Sequence, residues 1–180
     1  ITGGDSSGRN LPSPPGRIRP TAARVRGSFF DILGDISGLS FCDLFSGSGA
    51  VGIEAAGRGA APVIFVEKDR RACSYIRKQI GRFGLPPEAA RIRPESVKSW
   101  ISRSGECYDL LFADPPYIDS IIDDLLESVP RLIERLTPAG ILIIQLPSGR
   151  EVPGTTDMRQ LGDDTLHFWE KWKLAENPDI

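Results

Sequence analysis

The spacing of apolar and polar residues changes along the chain, and each change marks an element. Thr21 is a helix-capping residue. Val25, Phe29, Ile32 and Leu33 then recur at i, i+4, i+7 and i+8, which predicts a helix ending near Gly34. Arg24 and Arg26 lie off that stripe and are expected to face solvent or a ligand. From residue 40 short apolar runs bounded by turn residues predict strands over 40–45, 62–67, 91–93, 108–113 and 141–146. The segments between them read as helices over 50–58, from a cap at Asp69 through Ala72, Ile76 and Ile80, around 97–101, and over 120–136 as one long helix stopped before Gly140. Strands alternating with helices imply an α/β fold, a mostly parallel sheet covered on both faces. The tail differs: residues 158–161 and 165–172 flank Gly162-Asp163-Asp164, as an antiparallel hairpin would. Residues 1–20 hold eight Gly or Pro and no helical period, so they read as an arm or short hairpin ahead of a single domain over 21–180.

Composition narrows the class. The 180 residues are 40% hydrophobic and 26% charged, which suits one globular domain with a full core. No apolar run approaches the ~20 residues of a membrane span, and no cationic and apolar leader pattern opens the sequence, so secretion is not expected. Cys42, Cys73 and Cys107 are odd in number and far apart, and His167 is the sole histidine, so neither a disulfide framework nor a metal site is expected and a cytoplasmic setting is. The formal charge of −2 hides an asymmetry: residues 1–30 carry a net +4 and residues 151–180 a net −4. Arg9, Arg17, Arg19, Arg24 and Arg26 make the N-terminal end a candidate for contact with a polyanion, set against a solvated arm.

Two motifs carry chemistry. Asp43 through Gly52 follows the first buried strand, opens a helix, and contains Gly47-x-Gly49-x-x-Gly52. Glycines there let the backbone turn sharply and approach a ligand, and Glu67 ends the next strand, where an acid accepts hydrogen bonds from ribose hydroxyls. The pattern points to an adenosine-containing cofactor. Asp43 inside the strand end suits an ammonium group and repels a pyrophosphate, which favours S-adenosylmethionine over NAD. The second motif is Asp114-Pro115-Pro116-Tyr117 at the end of the fourth main strand. Two prolines fix the backbone and remove two donors, so the turn presents acceptors that suit an amino group, and Tyr117 offers a face for a planar base. With its N–H groups held by Asp114 and the Pro115 carbonyl, a nucleobase amino nitrogen can pyramidalise and direct its lone pair at an electrophile. The first and fourth strands are neighbours in the usual doubly wound order, which brings both motifs to one crevice.

These motifs resemble an amino-group methyltransferase that uses S-adenosylmethionine. Gly3-Gly4, Gly8-Arg9, Leu11, Arg19-Pro20-Thr21, Arg24-Val25-Arg26, Phe30 and Leu33 narrow the resemblance to the bacterial small-subunit (16S) rRNA guanine-N(2) methyltransferases called RsmD. The resemblance implies a Rossmann-like class I methyltransferase fold with seven strands, and residues 21–180 as its catalytic domain. It implies a guanine of 16S rRNA, in the small ribosomal subunit or an assembly intermediate, as substrate. It further implies that Asp114, Pro115, Pro116 and Tyr117 hold the target base. Cofactor contacts are expected from Asp43, Phe45, Ser46, Gly47 and Gly49 on the turn, and from Glu67, Lys68, Glu95 and Ser96 beyond it, Glu95 being equally a helix N-terminal charge. The chain departs from the family at Gly27, at Asp31, and at Gln145, where the fifth strand often ends in an acid. His167, Trp169, Trp172 and Cys42 read as packing residues. Rival readings are an amino methyltransferase acting on DNA or protein glutamine, an NAD-dependent oxidoreductase, and a catalytically inactive RNA-binding chaperone.

Overall fold

The computed structural model describes residues 23–103 and 105–176, with the backbone alone for Ala23–Val25. Seven strands form one sheet in the order β3-β2-β1-β4-β5-β7-β6. β1 (Phe41–Leu44), β2 (Val63–Val66), β3 (Ala90–Arg93), β4 (Tyr108–Ala113) and β5 (Leu136–Pro147) run parallel. β7 (Asp164–Glu170) is antiparallel to both β5 and β6 (Asp157–Leu161). This is the Rossmann-like methyltransferase architecture expected above, with the C-terminal hairpin in place.

Alternation along each strand sorts the core into two layers. Phe41, Val63, Phe65, Leu110 and Phe112 point to one face, where α1 (Ala23–Leu33), α2 (Ala50–Gly57) and α3 (Arg70–Phe83) bury Phe29, Phe30, Ile53 and Ile76 against them. Cys42, Leu44, Ile64, Val66 and Leu111 point to the other, under Trp100, Ile122, Leu125 and Leu132 of α4 (Val97–Ile101), α5 (Asp119–Glu127) and α6 (Val129–Glu134). The first layer is held by an aromatic chain in which Phe29 meets Phe112 at 4.7 Å between ring centroids and Phe112 stacks on Phe41 at 6.5 Å.

Four expectations from the sequence are corrected. The helix over 120–136 is two helices, because Pro130 has no N–H to continue the ladder and Ser128 breaks it. β5 begins at Leu136, before Gly140, and its pairing with β4 shifts register between Tyr108 and Leu110. The last strand stops at Glu170, and Trp172 lies in α7 (Lys171–Glu176), whose Lys, Leu, Ala and Glu favour helix. Among the described side chains of α1 the buried ones are Arg26, Phe29 and Phe30, while Ile32 is 41% exposed. The apolar stripe is therefore rotated from the predicted one, and Arg26 faces neither solvent nor ligand. Its Nε lies 3.3 Å from Oε2 of Glu54, a fully buried carboxylate on α2 that Arg58 also reaches, at 3.4 Å. A buried charge is tolerated only with a partner, and this need outweighs the solvation of Arg26. Among the described residues no helix is long and apolar enough to cross a membrane.

Candidate active site

Parallel strands all finish at one edge of the sheet, and the cleft opens there. β1 pairs with β2 through Leu44 and Val66 and with β4 through Leu44 and Ala113, so the glycine turn, Glu67 and Asp114 follow three adjacent strand ends. After β1 the chain turns at once. Phe45 has φ 61°, the only non-glycine with positive φ among the described residues, a conformation that costs a bulky side chain on the order of 1–3 kcal/mol. It is held there by the turn around it and lines the cleft. Gly47 and Gly49 also have positive φ, at 52° and 72°. Gly52 is required for a different reason. A Cβ there would stand 2.3 Å from the buried Phe65 ring, so only glycine lets α2 sit this close to β2.

The acids around the turn hold its backbone. Glu67 accepts the Gly47 N–H at 2.8 Å through one oxygen and the Asp69 N–H at 2.7 Å through the other. It lines the cleft and retains lone pairs for ligand hydroxyls. Asp43 is buried beneath the turn, outside the cleft lining, and accepts the Gly52 N–H at 3.0 Å. Burial, reinforced by the nearby charges of Asp114 and Glu67, raises its pKa from 3.8 to about 8, against the lowering effect of the Gly52 bond. Ser46 is also turned inward, its hydroxyl 2.6 Å from the Asp43 carbonyl and its N–H 3.1 Å from that of Val66. Asp43, Ser46 and Gly49 thus shape the turn from below, while Phe45, Gly47, Glu67, Lys68, Glu95 and Ser96 line the cleft. Ser96 caps α4 by accepting the Ser99 N–H at 3.1 Å. Glu95 is bonded by the Arg103 guanidinium and the Ser99 hydroxyl, so it is at once a lining residue and an N-terminal charge of α4.

The opposite wall is Asp114 through Tyr117. Pro115 is buried and Asp114 partly exposed at the end of β4. The Pro116 carbonyl is engaged by the Ile118 N–H at 2.7 Å. Tyr117 is half exposed, and its hydroxyl donates to Asp164 at 2.5 Å. Desolvation, then the bond to Asp164, raises its pKa and keeps the phenol protonated. Asp164 in turn accepts from the amide of buried Gln145 at 2.8 Å. Neither Gln145 nor Asp164 was singled out as a site residue by the sequence. The missing strand-five acid at Gln145 was visible, but not that its amide would hold an acid from the next strand. The cleft encloses about 1130 Å³, above the usual ~300–1,000 Å³ for one small ligand, which leaves room for a cofactor and a base together. No group of three or more His, Cys, Asp or Glu among the described residues is placed to hold a metal ion.

The profile of a protein family described as conserved hypothetical protein 95 matches residues 1–169. The chain belongs to this family. The RsmD resemblance read from the N-terminal and Asp114–Tyr117 motifs is thereby borne out. Among the relatives of this family member, ribosomal RNA small subunit methyltransferase D of Escherichia coli (strain K12) is 35% identical over 127 residues, covering 69% of this chain and 63% of the relative. The chain thus spans less than two thirds of that relative's length. A provisionally named Bacillus subtilis (strain 168) rRNA methyltransferase, YlbH, is 28% identical over 86% of both chains. Among solved structures, a hypothetical protein of Thermus thermophilus matches with a TM-score of 0.79 and 31% identity, covering 94% of this chain and 98% of that one. An RNA methyltransferase from Salinibacter ruber, solved with S-adenosyl-L-homocysteine, matches with a TM-score of 0.67 over 84% and 93% at 21% identity, which speaks for the fold alone.

Of the arginines expected to meet RNA, Arg9, Arg17 and Arg19 lie outside the described residues, as does the 1–20 arm. The side chain of Arg24 is not described either, and Arg26 is the buried partner of Glu54.

Proposed function

We propose that the chain is an S-adenosylmethionine-dependent methyltransferase acting on the 2-amino group of a guanine in small-subunit (16S) rRNA, within the subunit or an assembly intermediate, in the cytoplasm. One observation carries this. A ligand-approaching glycine turn with an acid beside it and a proline-fixed acceptor turn with an aromatic face each other across one cleft, from the paired strands β1 and β4. Membership of the RsmD-like family supports it, as do the names of the relatives.

S-Adenosylmethionine supplies, when bound, an electrophilic methyl group on a sulfonium. Glu67, Phe45 and the Gly47 backbone line the wall that would hold it, with Glu95 and Ser96 in the same lining. Asp114 and the Pro115 carbonyl accept the two N–H groups of the target amine, which withdraws its lone pair from the ring and aims it across the cleft. Tyr117 supports the base from one side. The amine must shed a proton as it is methylated, and the Asp114 carboxylate, which accepts one of its N–H groups, would take it. The catalytic contribution is alignment and electrostatics, with no covalent protein intermediate.

The test is incubation with methyl-labelled S-adenosylmethionine and naked rRNA, small subunits or DNA, followed by nucleoside analysis. Label in N(2)-methylguanosine is expected, and its loss in Asp114→Ala with cofactor affinity within a few-fold of wild type. Label in another nucleoside, or near wild-type turnover by Asp114→Ala, overturns the assignment.

A further inference from the structure

Five cations crowd one exposed face of α3, a helix the sequence motifs do not touch. Its buried side is Ala72, Cys73, Ile76, Gln79 and Phe83. Its exposed side carries Arg70, Arg71, Arg77, Lys78 and Arg82 and no acid. At 100° per residue these fall in two rows, Arg70 with Arg77 and Arg71 with Lys78 and Arg82. Between the rows lie only Ser74 and Gly81, and a Cβ at Gly81 would meet open space. The result is a shallow track about 18 Å long from Arg70 to Arg82, with cations on both sides over its first half.

Three observations set this apart from an ordinary solvated helix face. Between residues 68 and 93 there are eight Lys or Arg and two acids, in a chain whose net charge is −2. Four of these cations stand outside the ion pairs: among the described residues no carboxylate salt-bridges Arg70, Arg71, Arg77 or Lys78, whereas Arg91 meets Glu106, and on α5 Asp119 and Asp123 are met by Arg150 and Asp124 by Lys98. The placement also runs against helix stability. Arg70 and Arg71 occupy the first turn, where the macrodipole disfavours cations, and the N-cap Asp69 is the one acid beside them. That turn begins two residues beyond Lys68, which lines the cleft. A cationic track that begins at the cleft rim and holds like charges together against their own repulsion is complementary to a phosphate backbone.

We propose that the exposed face of α3 is the phosphate-contact surface along which an RNA strand is led to the cleft, a proposal that rests on the RNA substrate assigned above. RNA then lies on the α1–α3 side of the sheet. Arg77 and Lys78 are about 10 Å along the helix from the cleft end, so they serve RNA and not the cofactor.

The test is the double variant Arg77→Gln with Lys78→Gln, compared with Arg159→Gln plus Lys173→Gln, which removes the same charge elsewhere. RNA binding is measured against salt, and methyl transfer and S-adenosylhomocysteine binding separately. For the α3 variant the log–log salt slope falls by about 0.7–0.9 per lost contact, RNA affinity and KM weaken several-fold, and kcat and cofactor affinity are unchanged. Ser74→Glu, which puts a negative charge between the rows, gives the same loss and serves if the double variant folds poorly. A wild-type slope in the α3 variants, or an equal drop in the Arg159/Lys173 control, overturns the proposal while leaving the methyltransferase assignment in place. Binding with an α3-dependent slope but no methyl transfer overturns that assignment and keeps the surface. A wild-type protein that binds no RNA overturns both.

Discussion

Asp43 gives the sharpest physical test, because its titration is set by packing. The folded-state pKa of about 8 stands above the ordinary 3.8, so between pH 4 and 8 the unfolded chain has released a proton that the folded chain keeps. Stability from this group is therefore full below pH 4 and declines as pH rises through that window, levelling above the folded pKa. At mid-window the slope is about 1.4 kcal/mol per pH unit for one proton. Asp43→Asn removes the titration yet keeps an oxygen that can accept the Gly52 N–H, now at 3.0 Å from Oδ2. Urea unfolding of both proteins from pH 4.5 to 8.5, with the difference plotted against pH, cancels every other titrating group. The wild type should lose stability relative to Asp43→Asn as pH rises. Glu67→Gln, by removing one of the charges that raise this pKa, should shift the curve to lower pH. Parallel stabilities across the range would show that Asp43 ionises freely and that its burial has been misjudged. A functional corollary concerns ligands. Near pH 7 the Asp43 carboxyl is mostly protonated, so a cationic group bound nearby should expel its proton, detectable by calorimetry in buffers of differing ionisation enthalpy.

Gly52→Val should lower stability by several kcal/mol in chemical denaturation and reduce cofactor affinity, since branched carbons would enter the Phe65 ring and force α2 off the turn; Gly81→Ala, which meets open space, should not destabilise. Tyr117→Ala should reduce kcat/KM for RNA by roughly five- to 150-fold, the value of one ~1–3 kcal/mol base stack, while Tyr117→Phe should keep most of it. If Phe costs as much as Ala, the hydroxyl bond to Asp164 outweighs the ring. His167 is buried with neither ring nitrogen hydrogen-bonded among the described residues, and burial lowers its pKa. It should therefore cost stability as pH falls below about 6.5, an effect absent in His167→Leu by thermal denaturation.

The site was readable where local backbone demands leave residue signatures. Gly47, Gly49 and Gly52 mark turn and close approach, Pro115 and Pro116 mark a fixed turn, and the strand period places both at one sheet edge once strands one and four are neighbours. What could not be read depended on partners distant in sequence. Nothing on α1 announces that Glu54, 28 residues beyond Arg26, will be sealed under it and draw that arginine inward. The break at Ser128 was signalled by Pro130, but the apolar period on either side continued across it, and periodicity does not see a missing N–H. The charge on α3 is plain in the sequence, yet it is masked by the net −2 of the whole chain and by the more basic N-terminus. It acquires meaning only when the fold shows which faces are compensated.

The direction of β7 explains how the C-terminal hairpin takes part in the site. The parallel strands β1, β2, β4 and β5 all deliver their last residues to the cleft edge. A further parallel strand would need a crossover and would again contribute only its end. An antiparallel strand contributes its beginning instead, immediately after a two-residue turn at Gly162-Asp163. The β5–β7 register sets Pro147 opposite Asp164, so the first residue of β7 stands beside the last of β5, next to the end of β4. From there Asp164 binds Gln145 with one oxygen and the Tyr117 hydroxyl with the other, across 47 residues of chain. Leu161, Gly162 and Asp163 line the cleft with it. The hairpin is thus a wall of the cleft on the Asp114–Tyr117 side, and the orientation of Tyr117 is set by the strand topology as much as by the two prolines before it.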